Sequence, residues 1–208
     1  MPQKRKNKAV FVDRDGTLNA MVYNDTHGIF DSPRNIREVR LKPHAAHFVK
    51  AAKKAGFLVI VVTNQPGIAK GTLTAKRLKA INRRLSALLA EQGAQWDALY
   101  YCPHHPGPGM RKSPFARKCQ CRKPRPGLIL QAARKHAIDL PSSWMVGDGL
   151  NDVQAGNAAG CRSILVANLK IEQVEQFFNL AGCRPCAVAR DLERAAHIIL
   201  KAKTGRKK

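Results

Sequence analysis

Asp13 and Asp15 stand two positions apart in Phe11-Val12-Asp13-Arg14-Asp15-Gly16-Thr17-Leu18, where a short apolar run ends. Alternate residues of a strand share a face, so a strand continued through this point puts both carboxylates on one side. Crowded carboxylates repel unless a cation sits beside them or one holds a proton. That pairing suits a carboxylate nucleophile next to an acid/base, with Mg²⁺ on oxygen ligands. Alone, Asp-x-Asp-Gly-Thr would serve equally well as a strand-to-turn exit. Further segments add to it in chain order. Leu58-Val59-Ile60-Val61-Val62 ends in Thr63-Asn64-Gln65, whose hydroxyl can bond a phosphate oxygen. Cys121-Arg122-Lys123-Pro124 offers Lys123 as a cation for a transferring phosphoryl group. Met145-Val146-Gly147-Asp148 ends another apolar run with a carboxylate able to complete a metal site, and Asp152 follows at the start of a helix.

A second constellation is Cys102-Pro103-His104 with Cys119-Gln120-Cys121. Two close pairs joined by a 14-residue loop can close a tetrahedral Cys₃His site for Zn²⁺. His105 competes as the nitrogen ligand; His104 is preferred. Pro103, Pro106, Gly107, Pro108 and Gly109 give this loop little means of ordering itself, and a structural metal supplies that order. Cys183-Arg184-Pro185-Cys186 has no second pair and no thioredoxin-like surroundings, so it reads as structural rather than redox-active.

Strand-like runs that would position these residues are Ala9–Val12, Leu58–Val62, Ala98–Tyr101, Trp144–Val146, Ser163–Val166 and Cys186–Ala189. Helical spacing appears over Ala45–Ala55, Ala75–Glu91, Leu128–His136, Asn151–Ala159 and Leu192–Ala202. Short, almost wholly apolar runs alternating with helices predict an α/β fold: a Rossmann-like parallel sheet with helices on both faces. Two long connections, from Leu18 to about Pro43 and from Cys102 to about Gly127, follow strand C-terminal ends, where open α/β sheets bind ligands. The expected organisation is a basic N-terminal tail over 1–8, one domain over 9–200 carrying a zinc-stapled loop at 102–121, and a basic tail over 201–208. No large cap domain is expected.

The 208 residues suffice for one sizeable core, and the net charge is +23. Nine Lys/Arg lie in the two tails, and seven more fall between Arg111 and Arg125 with no acid. Such a balance draws anions, phosphorylated metabolites or nucleic acid, without naming one. No apolar run approaches the roughly 20 residues that cross a membrane. The basic N-terminus lacks the apolar core of a secretory signal. A cytoplasmic monomer is expected.

The ordered set Asp13, Asp15, Thr63, Lys123 and Asp148 resembles the haloacid dehalogenase superfamily of phosphatases over roughly residues 9–200. The resemblance implies that Asp13 attacks phosphorus and forms an aspartyl-phosphate, and that Asp15 serves as acid and then base. It implies that Thr63 and Lys123 neutralise the phosphoryl oxygens. Mg²⁺ would bind the Asp13 carboxylate, the Asp15 carbonyl and Asp148. An Asp at position 15 favours phosphatases over the dehalogenases and phosphonatases of the superfamily. Together with Thr63–Gly71, Tyr100–Pro106 and Cys121–Gly127, the zinc loop is similar to that of the D-glycero-D-manno-heptose 1,7-bisphosphate 7-phosphatases. Histidinol-phosphate phosphatase is the near alternative. That narrower resemblance implies a sugar bisphosphate substrate, met by Arg14, Asn64, Gln65 and Arg122. Gly149 stands where these enzymes often carry Lys, and Asn19–Gly28 is longer than in compact members. Tyr23 and His27 in that segment read as ordinary loop residues. A nucleic-acid end phosphatase is the alternative that the charge favours, though no aromatic-rich stacking surface is visible for it.

Overall fold

The structure is a computed structural model that describes residues 6–25, 28–107, 113–168, 173, 175–176, 178–179 and 182–204. Six strands form its sheet: β1 (Lys8–Val12), β4 (Phe57–Asn64), β5 (Ala98–Cys102), β6 (Trp144–Gly147), β7 (Arg162–Val166) and β8 (Ala187–Ala189). Every pairing among them is parallel, in the order β5-β4-β1-β6-β7-β8. Among the described residues the helices that accompany them are α1 (Ala45–Lys54), α2 (Ala75–Glu91), α3 (Gly127–Lys135), α4 (Leu150–Ala158) and α5 (Leu192–Thr204).

Strand alternation sets two core clusters on opposite faces of the sheet. Val10, Val12, Val59 and Val61 pack with Phe48 and Val49 of α1 and Ala195 and Ile199 of α5. The intervening Ala9, Phe11, Ile60 and Val62 turn to the other face, against Leu128, Ile129 and Ala132 of α3 and Ala155 of α4. Burial on both faces is what lets these strands be apolar throughout. Helix α2 buries Leu78, Ile81, Leu85 and Leu89, spaced as one stripe of a helix. Its Thr74 N-cap accepts a hydrogen bond from the Arg77 amide at 3.2 Å. Phe48 is fully buried; Phe48→Ala is expected to cost about 3–5 kcal/mol, read as a lower urea midpoint at unchanged slope.

The chain adds β4 and β5 on one side of β1, then crosses to build β6, β7 and β8 on the other. The reversal opens a crevice beyond the C-terminal ends of β1, β4 and β6, where such sheets take ligands.

Strand and helix positions match the sequence expectation to within one or two residues at most ends. The connection from Leu18 to Pro43 differs, because it contains a hairpin of β2 (Val22–Asn24) and β3 (Ile29–Asp31) and a 3-10 turn at Ile36–Glu38. Its strands are three residues long and mostly solvated, so they carry no alternation of burial to read. Tyr23 and Phe30 pair across it with ring centroids 5.4 Å apart. The folded unit is also wider than 9–200. The Asn7 amide bonds the Ala137 carbonyl at 2.9 Å, Lys8 opens β1, and α5 continues to Thr204. Residues 1–5 and 205–208 of the expected tails, His27, and 108–112 of the zinc loop lie outside the described residues.

Candidate active site

Three strand ends converge on one crevice. The Asp13 amide bonds the Val146 carbonyl at 2.9 Å, tying the exit of β1 to β6. Thr63 is the last residue but one of β4, and Asp148 follows β6. Lys123 arrives from the loop before α3, its backbone bracketed by Asn64. The Asn64 side chain accepts from the Lys123 amide and donates to its carbonyl, each at 3.0 Å. The Lys123 ammonium donates to Asp13 Oδ1 at 2.7 Å, Asp152 Oδ1 at 2.5 Å and the Val62 carbonyl at 2.9 Å. Asp152 also accepts from the Gly149 amide at 3.1 Å.

Asp13, Asp148 and Asp152 bring carboxylate oxygens within 4.8 Å of one another. Three carboxylates face the Lys123 ammonium, so with all three ionised two negative charges are uncompensated among the described residues. Burial, then repulsion from Asp152, outweighs Lys123 and pushes the Asp13 pKa up to about 7. Burial and Asp13 likewise raise Asp148, and burial raises Asp152. Burial alone would lower Lys123, yet Asp13 and Asp152 raise it, so it stays charged. An all-oxygen donor set with that charge deficit fits a hard dication such as Mg²⁺. Asp152, which the sequence placed only at a helix start, is a full member of the cluster.

Asp15 faces elsewhere. Its Oδ1 accepts from Arg14 Nε at 2.9 Å, and its Oδ2 from Arg14 Nη2 at 2.7 Å and Gln65 Nε2 at 2.8 Å. Burial would raise this carboxyl, but the Arg14 guanidinium overrides it and holds the pKa below the ordinary value. Gln65 Nε2 also donates to Thr63 Oγ1 at 2.9 Å.

The four residues expected to touch substrate therefore divide. Arg14 is 0% exposed, and its remaining Nη1 donates to Asn82 of α2 at 2.6 Å. It braces Asp15 instead of reaching the crevice. Asn64 is engaged by Lys123, and Gln65 links Thr63 to Asp15 while lining a cavity of about 30 Å³ with Arg34 and Lys70. Arg122 is half-buried and donates to the His104 carbonyl at 3.3 Å. Arg122 and Lys70 both act on His105, which burial and these two cations hold below the usual histidine range. Arg34 and Lys70 were not singled out in the sequence; isolated basic loop residues in so basic a chain carry no distinguishing mark.

Gly16 makes the close approach possible. Its φ is +84°, and a Cβ there would lie 2.0 Å from Asp148 Oδ2. Thr17 Oγ1 donates to the same carboxylate at 3.1 Å. Gly16→Ala is expected to displace Asp148 and weaken Mg²⁺ binding by about ten-fold or more, measured by calorimetric titration.

The cysteine cluster lies at the β5 end of the crevice. Cys102, Cys119 and Cys121 are free thiols with sulfurs 3.2–3.5 Å apart, and His104 Nδ1 is 3.3 Å from Cys121 Sγ and 3.6 Å from Cys102 Sγ. A tetrahedron with Zn–S near 2.3 Å has S···S edges of about 3.8 Å, so a small outward shift seats the ion. His104, not His105, supplies the nitrogen to this group.

A family model described as HAD-hydrolase-like matches residues 120–195. The chain is similar to the D-glycero-beta-D-manno-heptose-1,7-bisphosphate 7-phosphatase of Yersinia pestis, 38% identical over 151 residues that span 73% of this chain and 75% of that one. The protein of the same name from Escherichia coli (strain K12) is also 38% identical over 151 residues, covering 73% and 74%. Among solved structures, D,D-heptose 1,7-bisphosphate phosphatase from B. bronchiseptica, complexed with magnesium and phosphate, is similar at a TM-score of 0.75 and 30% identity. That match covers 94% of this chain and 99% of that one.

Proposed function

We propose that this chain, which belongs to the D-glycero-beta-D-manno-heptose-1,7-bisphosphate 7-phosphatase family of HAD-like phosphatases, removes the 7-phosphate of that heptose bisphosphate. The observation that carries the reading is the crowding of Asp13, Asp148 and Asp152 around Lys123 at three strand ends. Phosphoryl transfer depends chiefly on alignment and charge neutralisation, which this arrangement supplies.

In this reading Asp13 attacks phosphorus, the bond to the sugar oxygen breaks, and an aspartyl-phosphate forms. Lys123, already on Asp13 Oδ1, and the Thr63 hydroxyl hold the phosphoryl oxygens. Asp15, turned from the Arg14 guanidinium that keeps it ionised, takes up a proton from solvent and gives it to the leaving oxygen; it then takes one from the water whose oxygen bonds phosphorus as the bond to Asp13 breaks. Asp13, Asp148 and the Asp15 carbonyl would hold Mg²⁺, which supplies charge neutralisation for the carboxylates and phosphate. Asp152 fixes Lys123. Lys70 and Arg34 line the cavity beside Gln65, and with Arg122 they suit the substrate's second phosphate. The zinc loop covers the crevice in place of a cap domain. The enzyme acts as a monomer in the cytoplasm; light scattering of the purified chain tests the first of these.

The test is phosphate release with Mg²⁺ and with EDTA, from both anomers of heptose 1,7-bisphosphate, fructose 1,6-bisphosphate, histidinol phosphate and a 3′-phosphorylated oligonucleotide. Mg²⁺-dependent preference for a heptose bisphosphate is expected. Preference for histidinol phosphate would move the assignment to the neighbouring specificity. The net charge of +23 favours the oligonucleotide as second reading, and turnover of that substrate above the sugars would replace the first.

A further inference from the structure

A groove of about 690 Å³ lies between α2 and β5, at the open edge of the sheet. Its base is apolar, formed by Leu78, Trp96 and Leu99, with Tyr101 39% exposed at the rim. Its α2 wall carries Lys76, Lys79 and Arg83. Those three stand at i, i+3 and i+7, so their like charges share one helix face. No carboxylate is among the described residues that line the groove. The proposed catalytic chemistry uses none of these seven side chains.

We propose that this groove is a binding site for a nucleoside phosphate. The base lies against Trp96 and Tyr101, and the phosphate meets Lys76, Lys79 and Arg83. A planar ring gains by stacking on aromatic side chains whatever its identity. Arginine and lysine supply charge-assisted hydrogen bonds to phosphate oxygens. The volume falls in the range of small-molecule pockets. A solvated basic helix face needs no aromatic floor beneath it. The carboxylates of an acidic peptide would satisfy the three cations but make no use of the indole and phenol faces.

The groove backs onto the catalytic frame. Asn82, on the same wall, accepts the 2.6 Å hydrogen bond from Arg14, so an occupant rests against the helix face that braces the Asp15 clamp.

Trp96 reports on occupancy directly. The second tryptophan, Trp144, is buried, with the Arg162 guanidinium 3.8 Å from its ring centroid. The experiment titrates AMP into the full-length chain while following tryptophan fluorescence, with Mg²⁺ and saturating orthophosphate keeping the catalytic crevice filled. Saturable quenching is expected, absent in Trp96→Phe. In Lys79→Glu/Arg83→Glu the midpoint is expected to rise about ten-fold or more. Both substituted cations are exposed, and an unchanged far-ultraviolet dichroism spectrum checks that the variant folds. No saturable quenching by AMP, or quenching that survives the charge reversal, would overturn the proposal. Quenching by a ten-residue single strand but not by AMP would also overturn it, assigning the groove to nucleic acid.

Discussion

Asp13→Asn is expected to release no phosphate from any substrate in the panel, a loss of about four orders of magnitude or more, while melting above the parent chain in EDTA. The first half follows from the proposed chemistry. An amide in place of the carboxylate cannot form the acyl-phosphate, and Lys123 and Thr63 then have nothing to align. The second half follows from electrostatics. Burial and two neighbouring carboxylates act against the ionised Asp13, Lys123 acts for it, and the balance leaves the pKa at about 7. A folded-state value above the unfolded one means that the native state binds the proton more tightly. This group's contribution is most favourable below the unfolded value of 3.8 and is lost as pH rises toward about 7. Asparagine removes that pH-dependent penalty, while Lys123 keeps Asp152 as a partner at 2.5 Å. The difference in melting temperature between variant and parent is therefore expected to vanish near pH 4 and to be largest above pH 7. A chain of this size gains about 2–4 °C for each kcal/mol relieved. With saturating Mg²⁺ the order reverses, because the ion stabilises only the chain that still carries the carboxylate. Turnover by a variant shown by mass spectrometry to be free of Asp at position 13 would remove the nucleophile assignment. A melting temperature below the parent in EDTA at pH 8 would show that the bond to Lys123 outweighs the repulsion.

The crevice residues at the strand ends were legible because local sequence places them. Asp13, Thr63 and Asp148 each follow a run too apolar and too short for anything but a doubly buried strand, and chain order then fixes which strand ends can meet. Arg14 shows where that reasoning stops. Its position between two carboxylates was plain, but a strand's alternation does not say whether the chain turns just beyond it. Here the turn from Arg14 to Asn19, closed by the Leu18 and Asn19 amides on the Arg14 carbonyl at 2.9 and 2.8 Å, sends the guanidinium inward. Asn82 was invisible for a different reason. It lies mid-helix beside Ile81 of the buried stripe, 68 residues from its partner Arg14, and nothing local distinguishes it from a solvated polar residue. A fully buried Arg–Asp pair is costly unless all its donors are met. That requirement is the signal for a missing acceptor, though it does not say where the acceptor lies. Asp152 was the closest miss. Its spacing of four from Asp148 puts the two on neighbouring turns of chain, but only the inward reach of Lys123 makes it part of the cluster.

Cys119→Ser is expected to lose zinc, thermal stability and turnover together. Among its described residues, the stretch from Pro103 to Pro126 contains no helix or strand. Among the described residues its internal ties are the His105 amide to the Phe115 carbonyl at 3.1 Å, short turns, the Gly127 amide to the Gln120 carbonyl at 3.0 Å, and two guanidinium bonds, Arg122 to the His104 carbonyl at 3.3 Å and Arg125 to the Cys119 carbonyl at 2.8 Å. Order must come largely from the Cys₃His group, whose members join the end of β5 at Cys102 to Cys121, two positions before Lys123. Burial raises the Cys102 and Cys121 thiols, while at Cys119 hydrogen bonds from those two outweigh burial and lower it, so without a metal at least two thiols resist ionisation at short range. A bound dication reverses that by stabilising the thiolates. Structural zinc binds with roughly 10–16 kcal/mol in small domains. Losing one of four ligands forfeits several of these, and at about 2–4 °C per kcal/mol the melting temperature is expected to fall by about 10 °C. Elemental analysis, calorimetry and phosphate release on one preparation check the three effects. Because Lys123 hangs from the end of this loop and depends on Asn64 for its backbone position, loosening at Cys121 is expected to lower kcat more than it raises KM. Wild-type zinc content with unchanged melting would put the metal elsewhere. Loss of zinc with kcat intact would mean that the Asn64 bracket alone positions Lys123, leaving the zinc loop a cover over the crevice and nothing more.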